Sequence, residues 1–166
     1  LAALADGPST LVGPLHSDDS ARMIDALRAL GVEIEELPAS TPFGPDLRIT
    51  PPSRFRGDVV IDCGQAGTVM RFIAPLAGLA VGDVTITAHE SALHRPMGAM
   101  IKALREIGVD IDDGGRWALP FTVKGRGHVR GGEITIDASQ SSQFVSGLLL
   151  AAPRYDVGLH LIHSGE

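Results

Sequence analysis

The segment Met23-Ile24-Asp25-Ala26-Leu27-Arg28-Ala29-Leu30-Gly31-Val32-Glu33-Ile34-Glu35 recurs as Met100-Ile101-Lys102-Ala103-Leu104-Arg105-Glu106-Ile107-Gly108-Val109-Asp110-Ile111-Asp112, an offset of 77 residues. Self-similarity at a fixed offset restricts a chain to architectures in which one supersecondary unit is stacked on its copy. Each copy reads as a helix, a glycine stop and a strand. Met23, Ile24, Leu27 and Leu30, like Met100, Ile101, Leu104 and Ile107, fall at helical spacing and predict one buried stripe per helix. Val32 and Ile34, and Val109 and Ile111, then alternate with acids as half-buried strands do.

A second pair of segments matches at an offset of 75, from Ile61 to Ile136. Val59 to Thr68 and Ile134 to Gln143 both run from a strand through a small polar turn into an apolar helix. Met70 to Leu79 and Phe144 to Ala152 are apolar nearly all round, so these helices are expected in a core. Strands Val84 to Ala88 and Gly158 to His163 follow. The unit is helix, strand, strand, strand, helix, strand, a circular rearrangement of βαβαββ. The fold class is therefore mixed α/β (α+β), with repeated βαβαββ units whose helices are buried and whose sheets lie outside. About two units are present, roughly residues 15–90 and 91–166, and they read as a single truncated domain over 1–166.

Composition narrows the partners. The 166 residues carry a formal charge of -6, which works against nucleic acid, since phosphate backbones are bound by clustered Lys and Arg. A single cysteine, Cys63, excludes an internal disulfide and a cysteine-based zinc site. No apolar run reaches the ~18 residues of a membrane helix, and no charged-then-apolar start resembles a signal peptide. These features suit a cytoplasmic protein with no membrane partner. Leu1 to Ala5 reads as the last turns of a helix begun upstream, and the stretch after His163 as a second cut.

The strand-to-helix turns carry the chemistry. Each aims a helix N-terminus, worth roughly half a positive charge, at whatever lies beyond the strand end. In Gly64-Gln65-Ala66-Gly67-Thr68 the side chains are small enough for backbone amides to approach an anion, and Arg71 follows one turn later. An ordinary glycine turn capped by Thr68 is the plainer alternative. In the second turn Ser139, Ser141, Ser142 and Gln143 offer three hydroxyls and an amide, more than N-capping needs. In Leu93-His94-Arg95-Pro96-Met97-Gly98, Pro96 is expected in the first helical turn, holding Arg95 at the helix mouth. Arg95 with two anion-ready turns makes a carboxylate or phosphate clamp.

Gly64-Gln65-Ala66-Gly67-Thr68-Val69-Met70-Arg71 is similar to the Gly-Asn-Ala-Gly-Thr-x-x-Arg signature of 5-enolpyruvylshikimate-3-phosphate synthases. Arg95-Pro96-Met97 resembles their Arg-Pro-[Met/Ile] motif, Ser141-Ser142-Gln143 their Ser-Ser-Gln, and Ser17-Asp18-Asp19 with Met23 their Ser-x-Asp helix opening. The resemblance covers essentially the whole chain and implies a fragment of the N-terminal domain of a transferase of the shikimate pathway, which makes aromatic amino acids. It implies that Gly67, Arg95 and Gln143 bind phosphoenolpyruvate, and that Ser141, Ser142 and Gln143 bind shikimate 3-phosphate. Gln65, Thr68 and Arg71 would shape the pocket. No cofactor and no metal are implied. Gln65 replaces the usual Asn, and Phe72 stands where many members have Pro; both fall in the pocket where the inhibitor glyphosate acts in the family. The family's Lys-Ser-x-x-x-Arg loop and its second domain, with the acid-base Asp and Glu, lie outside these residues. The fragment is thus expected to need the remainder of its parent chain and to be inactive alone. A self-standing anion-binding module of the same fold stays open as the alternative.

The remaining candidates have structural readings. Cys63, at a strand end with no adjacent base, is expected to be inert. His16, His94, His128, His160 and His163 show no metal-ligand spacing along a helix. Asp62 and Asp137 match in the two copies and suit turn capping. The segment Pro38 to Arg56, rich in Pro and Gly, reads as a solvated connection.

Overall fold

The computed structural model describes residues 1–165. In chain order the elements are β1 (Ser9–Leu11), α1 (Asp18–Ala29), β2 (Glu33–Thr41), β3 (Gly44–Thr50), β4 (Phe55–Arg56), β5 (Val59–Asp62), α2 (Gly67–Ala77) and β6 (Ala80–Thr87). The second copy follows as α3 (Gly98–Glu106), β7 (Asp110–Asp112), β8 (Phe121–Arg126), β9 (Gly132–Asp137), α4 (Gln143–Ala151) and β10 (Leu159–Ser164). Short 3-10 turns occur at Ala2–Leu4, Glu90–Ala92 and Ala152–Arg154. The predicted order of helices and strands is present twice, with the two-residue β4 added in the first copy, in a mixed α/β fold.

The duplication extends to single hydrogen bonds. Gly31 and Gly108 both sit at φ 92°, the left-handed conformation that ends a helix without a Cβ penalty. Val32 N donates to Leu27 O at 3.0 Å, and Val109 N to Leu104 O at 2.9 Å. Arg28 Nη2 donates to Ile34 O at 2.8 Å, and Arg105 Nη2 to Ile111 O at the same distance, so each helix's last turn is clipped to the strand after it.

The sheets interleave the copies. β5 runs parallel to β6 with Ile61 opposite Ile86, and β9 parallel to β10 with Ile134 opposite Leu161. The hairpin β7–β8 of the second copy docks antiparallel on β6 of the first, Val84 facing Val123. The hairpin β2–β3 docks in the same manner on β1, Thr10 facing Arg48. Between the sheets lies a helical core, in which Met70, Ile73, Met100, Ile101, Leu104, Phe144 and Leu148 are fully buried. Burying side chains of this size contributes about 1.5–3 kcal/mol each, gross of conformational entropy. A smaller cluster of Ala3, Val32, Ile34, Leu47 and Ile49 lies under the sheet of β1, β2 and β3.

Several expectations are corrected. Pro38 to Arg56 is largely β2 and β3, not a solvated connection. Pro38, which has no N–H to donate, is tolerated because β2 is an edge strand whose register slips between Leu37 and Thr41, where no ladder needs a donor. Leu1 to Ala5 forms one 3-10 turn, closed by Leu4 N to Leu1 O at 2.8 Å, with Ala5 already extended. α3 begins at Gly98 on an N-cap of Met97, so Pro96 precedes the helix instead of occupying its first turn. The stripe of α1 is only partly buried: Met23, Ile24 and Leu27 line an apolar groove of about 720 Å³, with Phe72 and Leu150 on its far wall. Leu149 of α4 is 47% exposed, because α2 covers one side of α4 only.

Candidate functional site

β5 delivers the chain into the first turn, where Asp62 Oδ1 accepts from Gly64 N at 2.8 Å, the capping role expected of it. Gly64 adopts φ 55°. Asp62 Oδ2 also accepts from Arg22 Nη1 at 3.2 Å, a tie from α1 that the sequence reading did not find. α2 then opens on Ala66, which has no side-chain cap to offer. Thr68 is not the cap: it lies inside the first turn, and its Oγ1 accepts from Gln143 Nε2 at 3.1 Å. The first amides of α2 therefore point outward from an uncapped, electropositive helix end.

Two guanidinium groups meet at that end. Arg95 Nη1 donates to Gln65 O at 2.8 Å. A Cβ placed on Gly67 would stand 2.7 Å from Arg95 Nη1 and 3.2 Å from Arg71 Nη1. Arg71 Nη1 donates to Gln143 Oε1 at 2.8 Å, and its guanidinium lies 5.3 Å from the Phe144 ring centroid. Burial and then the charge of Arg95 lower the Arg71 pKa, yet a guanidinium stays protonated at neutral pH. Among the described residues neither arginine has a carboxylate within 4.0 Å, and the buried Arg71 Nε has no partner. Two unneutralised cations beside free helix amides form a site for an anion.

The second turn joins the first through Gln143. Asp137 Oδ1 accepts from Ser139 N at 2.9 Å and Ser139 Oγ at 2.6 Å, which fits its expected capping role and occupies one of the three hydroxyls. The Ser139 hydroxyl and then its amide, aided by His163, hold the Asp137 carboxyl below its ordinary range against a smaller burial effect. Ser141 Oγ accepts from Gln143 N at 3.3 Å, and exposed Ser142 caps nothing with its side chain. Gly67, Thr68, Arg71, Arg95 and Gln143 are thus brought together, Gln65 contributes its carbonyl, and Ser141 and Ser142 stand two residues and one residue before Gln143.

The other candidates fall elsewhere. Cys63 is fully buried, and burial, with the charge of Asp62, pushes its thiol up to about 12 against the opposing Arg22. His128 pairs with Asp156 and His160 with Glu133, each at 2.9 Å on the surface. Among the described residues no three His, Cys, Asp or Glu side chains converge as a metal site would require.

A family model described as EPSP synthase (3-phosphoshikimate 1-carboxyvinyltransferase) matches residues 1–165. The chain is 55% identical over 166 residues to a 3-phosphoshikimate 1-carboxyvinyltransferase of Kocuria rhizophila, covering 98% of this chain and 37% of that protein. It resembles the solved EPSP synthase of Acinetobacter baumannii with a TM-score of 0.74 at 26% identity, over 93% of this chain and 34% of that one. The enolpyruvyl transferase NikO of Streptomyces tendae shares the fold, with a TM-score of 0.67 at 21% identity over 96% and 35% of the two chains. The chain spans little more than a third of the length of the relatives it matches. With the duplicated unit and its two joined turns, these likenesses establish that the chain belongs to the EPSP synthase family.

Proposed function

We propose that this chain is part of an enolpyruvyl transferase that moves the enolpyruvyl group of phosphoenolpyruvate to the 5-hydroxyl of shikimate 3-phosphate. It acts as one truncated domain of two repeat units within a longer cytoplasmic protein. The observation that carries the reading is the meeting of Arg71 and Arg95 at Gly67, at an uncapped helix start, with no carboxylate beside them among the described residues. Phosphoenolpyruvate brings a phosphate and a carboxylate, and would be held by Gly67, Arg95 and Gln143. Ser141, Ser142 and Gln143 would take shikimate 3-phosphate, whose hydroxyls and phosphate suit their donors. Gln65, Thr68 and Arg71 shape the floor: Gln65 by holding Arg95, Thr68 and Arg71 by holding Gln143.

In the reaction so assigned, the 5-hydroxyl gives up its proton as its oxygen bonds to C2 of phosphoenolpyruvate, and the C2–C3 double bond becomes single as C3 gains a proton. The C2–O bond to phosphate then breaks as C3 loses a proton, restoring the double bond and releasing inorganic phosphate. This chain's share is to orient two anions and stabilise charge with fixed donors. Proton transfer needs a group within hydrogen-bond reach of the reacting carbon or oxygen, and falls to the remainder of the parent protein.

The test is a chimaera in which this chain replaces the matching segment of the Kocuria rhizophila relative. Phosphoenolpyruvate-dependent release of phosphate is expected. Arg95→Ala in it should lose about 1.5–3 kcal/mol, one charged hydrogen bond, read as a raised KM for phosphoenolpyruvate. Unchanged kinetics would remove Arg95 from the site. An inactive, folded chimaera that still binds phosphoenolpyruvate would favour the anion-binding module.

A further inference from the structure

The loop between β7 and β8 contains a buried carboxylate that the reading above leaves without a role. Asp113 is only 3% exposed. Its Oδ1 accepts from Arg105 Nη2 at 2.9 Å and Gly115 N at 3.0 Å, and its Oδ2 from Trp117 N at 2.9 Å. Burial alone would raise its pKa, but these donors and the charge of Arg105 hold it below the ordinary range. Arg105 also lies 4.9 Å from the Trp117 ring centroid. One carboxylate therefore gathers a cation, an aromatic ring and two loop amides into a rigid knot.

The knot backs onto the start of α3. A Cβ built on Gly98 would lie 3.7 Å from Trp117 Cβ and 3.8 Å from Trp117 O, so the loop stands beside the first residue of that helix with room for a methyl between them, and the two residues line one small groove. α3 needs such support. α1 begins with a side-chain cap, Ser17 Oγ accepting from Ser20 N at 3.2 Å, whereas Met97 caps nothing. Arg95 is three residues before Gly98, on the same stretch, and its guanidinium must be held beside Gly67 to serve an anion.

Comparison with the sister copy isolates what has been added. Arg28 and Arg105 are equivalent and make the same 2.8 Å bond to a strand carbonyl. Only Arg105 goes on to grip a buried carboxylate and stack on a tryptophan. The first copy's hairpin also carries a buried carboxylate, Asp46, whose Oδ1 accepts from Gly13 N at 2.8 Å on the approach to α1, beside the exposed bond of His16 Nε2 with Pro45 O at 3.0 Å. The carboxylate behind the helix that follows Arg95 differs in being paired with a cation that lies over an aromatic ring.

We infer that Asp113, which holds Trp117 beside the start of α3 and Arg105 at its last turn, is a positioning residue for Arg95 in anion binding. This rests on the reading of Arg95 given under Proposed function. Asp113→Asn keeps the size and one acceptor oxygen but turns an amide donor toward Trp117 N. Trp117→Ala removes the stacked ring, and Trp117→Phe keeps one.

In the chimaera, Asp113→Asn and Trp117→Ala should each raise KM for phosphoenolpyruvate roughly tenfold, short of the ~100-fold that a full ångström of misplacement can cost. kcat and KM for shikimate 3-phosphate should stay within about twofold, since Ser141 and Ser142 lie on α4's turn, and Trp117→Phe should recover most of the loss. In the 166-residue chain itself, the Arg95 side-chain NMR resonance should move with Asp113→Asn while that of Arg71 stays. The inference is overturned if both variants leave KM for phosphoenolpyruvate unchanged while Arg95→Ala raises it. It is equally overturned if all kinetic constants fall together with thermal stability and Trp117→Phe behaves like Trp117→Ala. If Arg95→Ala itself has no effect, the site reading fails first and leaves nothing to position.

Discussion

Gln143 donates its side-chain amide to Thr68 Oγ1 at 3.1 Å, and the two residues occupy the same place in the two copies of the repeat. The duplicated corners therefore touch at their equivalent residues. α2 and α4 start side by side from one mouth, and the other end of the Gln143 amide accepts from Arg71. One neutral side chain orders a cation without neutralising it, which keeps the positive charge available to a ligand.

Gln143→Ala removes a hydrogen bond from a charged donor and one to a hydroxyl, and leaves a half-buried guanidinium without its acceptor. The expected loss is about 2 kcal/mol, or roughly 4 to 8 °C in Tm for a chain of this size. Thermal unfolding of the purified variant reads it. A Tm within a degree of the parent's would show that the bridge holds nothing together.

Gly67→Ala separates binding from stability. The added methyl meets the far ends of two flexible arginines, 2.7 Å from Arg95 and 3.2 Å from Arg71, so they can swing aside. Stability should change by less than about 1 kcal/mol, since alanine suits a helix's first turn at least as well as glycine. Affinity for phosphoenolpyruvate should fall at least about tenfold, because the cradle is filled and Arg95 displaced. Equal affinity for both variants by calorimetric titration of the chimaera would place the ligand elsewhere.

How far this was legible in the sequence varies from residue to residue. Periodicity over Met23 to Leu30 and Met100 to Ile107, with the glycines after them, located α1 and α3 because those signals are local. Asp62 and Asp137 could be read as turn caps from their matching positions. β2 was read only at its start, around Ile34, and its outer half and β3 were missed because Pro38 and Pro45 argue against strands; only the sheet order shows that Pro38 sits on an edge at a register slip. The convergence on Gly67 was expected, but the bonds that fix it, Arg95 to the Gln65 carbonyl and Arg71 to Gln143, span 30 and 72 residues and leave no local trace. The Asp113 knot had one signal, the Gly114-Gly115 pair of a tight loop, and nothing in that pair announces a buried carboxylate.

Gly147→Ala probes the contact between α2 and α4. Its Cβ would stand 2.6 Å from Arg71 O and 3.3 Å from the Phe72 ring. That carbonyl lacks its usual helical donor, because the residue four places on is Pro75, which has no N–H. Backbone cannot step aside as a side chain can, so the helices must part, at about 1–3 kcal/mol. The Gln143 to Thr68 bond should weaken with them. Chemical denaturation reads the loss, and an unchanged midpoint would mean that the two helices are not in close contact.

The carboxylate of Asp113 makes stability depend on pH in a direction that can be worked out. Its pKa in the folded chain lies below the unfolded value of about 3.9, because donors from Arg105, Trp117 and Gly115 outweigh burial. A group depressed in this way stabilises the fold fully above its unfolded pKa, and that contribution drains away as pH falls through the folded pKa. At pH 7 Asp113→Asn should thus cost about 2 kcal/mol, the loss of hydrogen bonds made to a buried charge. As pH falls below the unfolded pKa toward the folded one, the gap between the two proteins should narrow. Urea unfolding of both proteins at pH 7, 5 and 3 measures that gap directly. A difference constant across the series would mean that the Asp113 charge contributes nothing to the loop, and that shape alone holds Trp117 against α3.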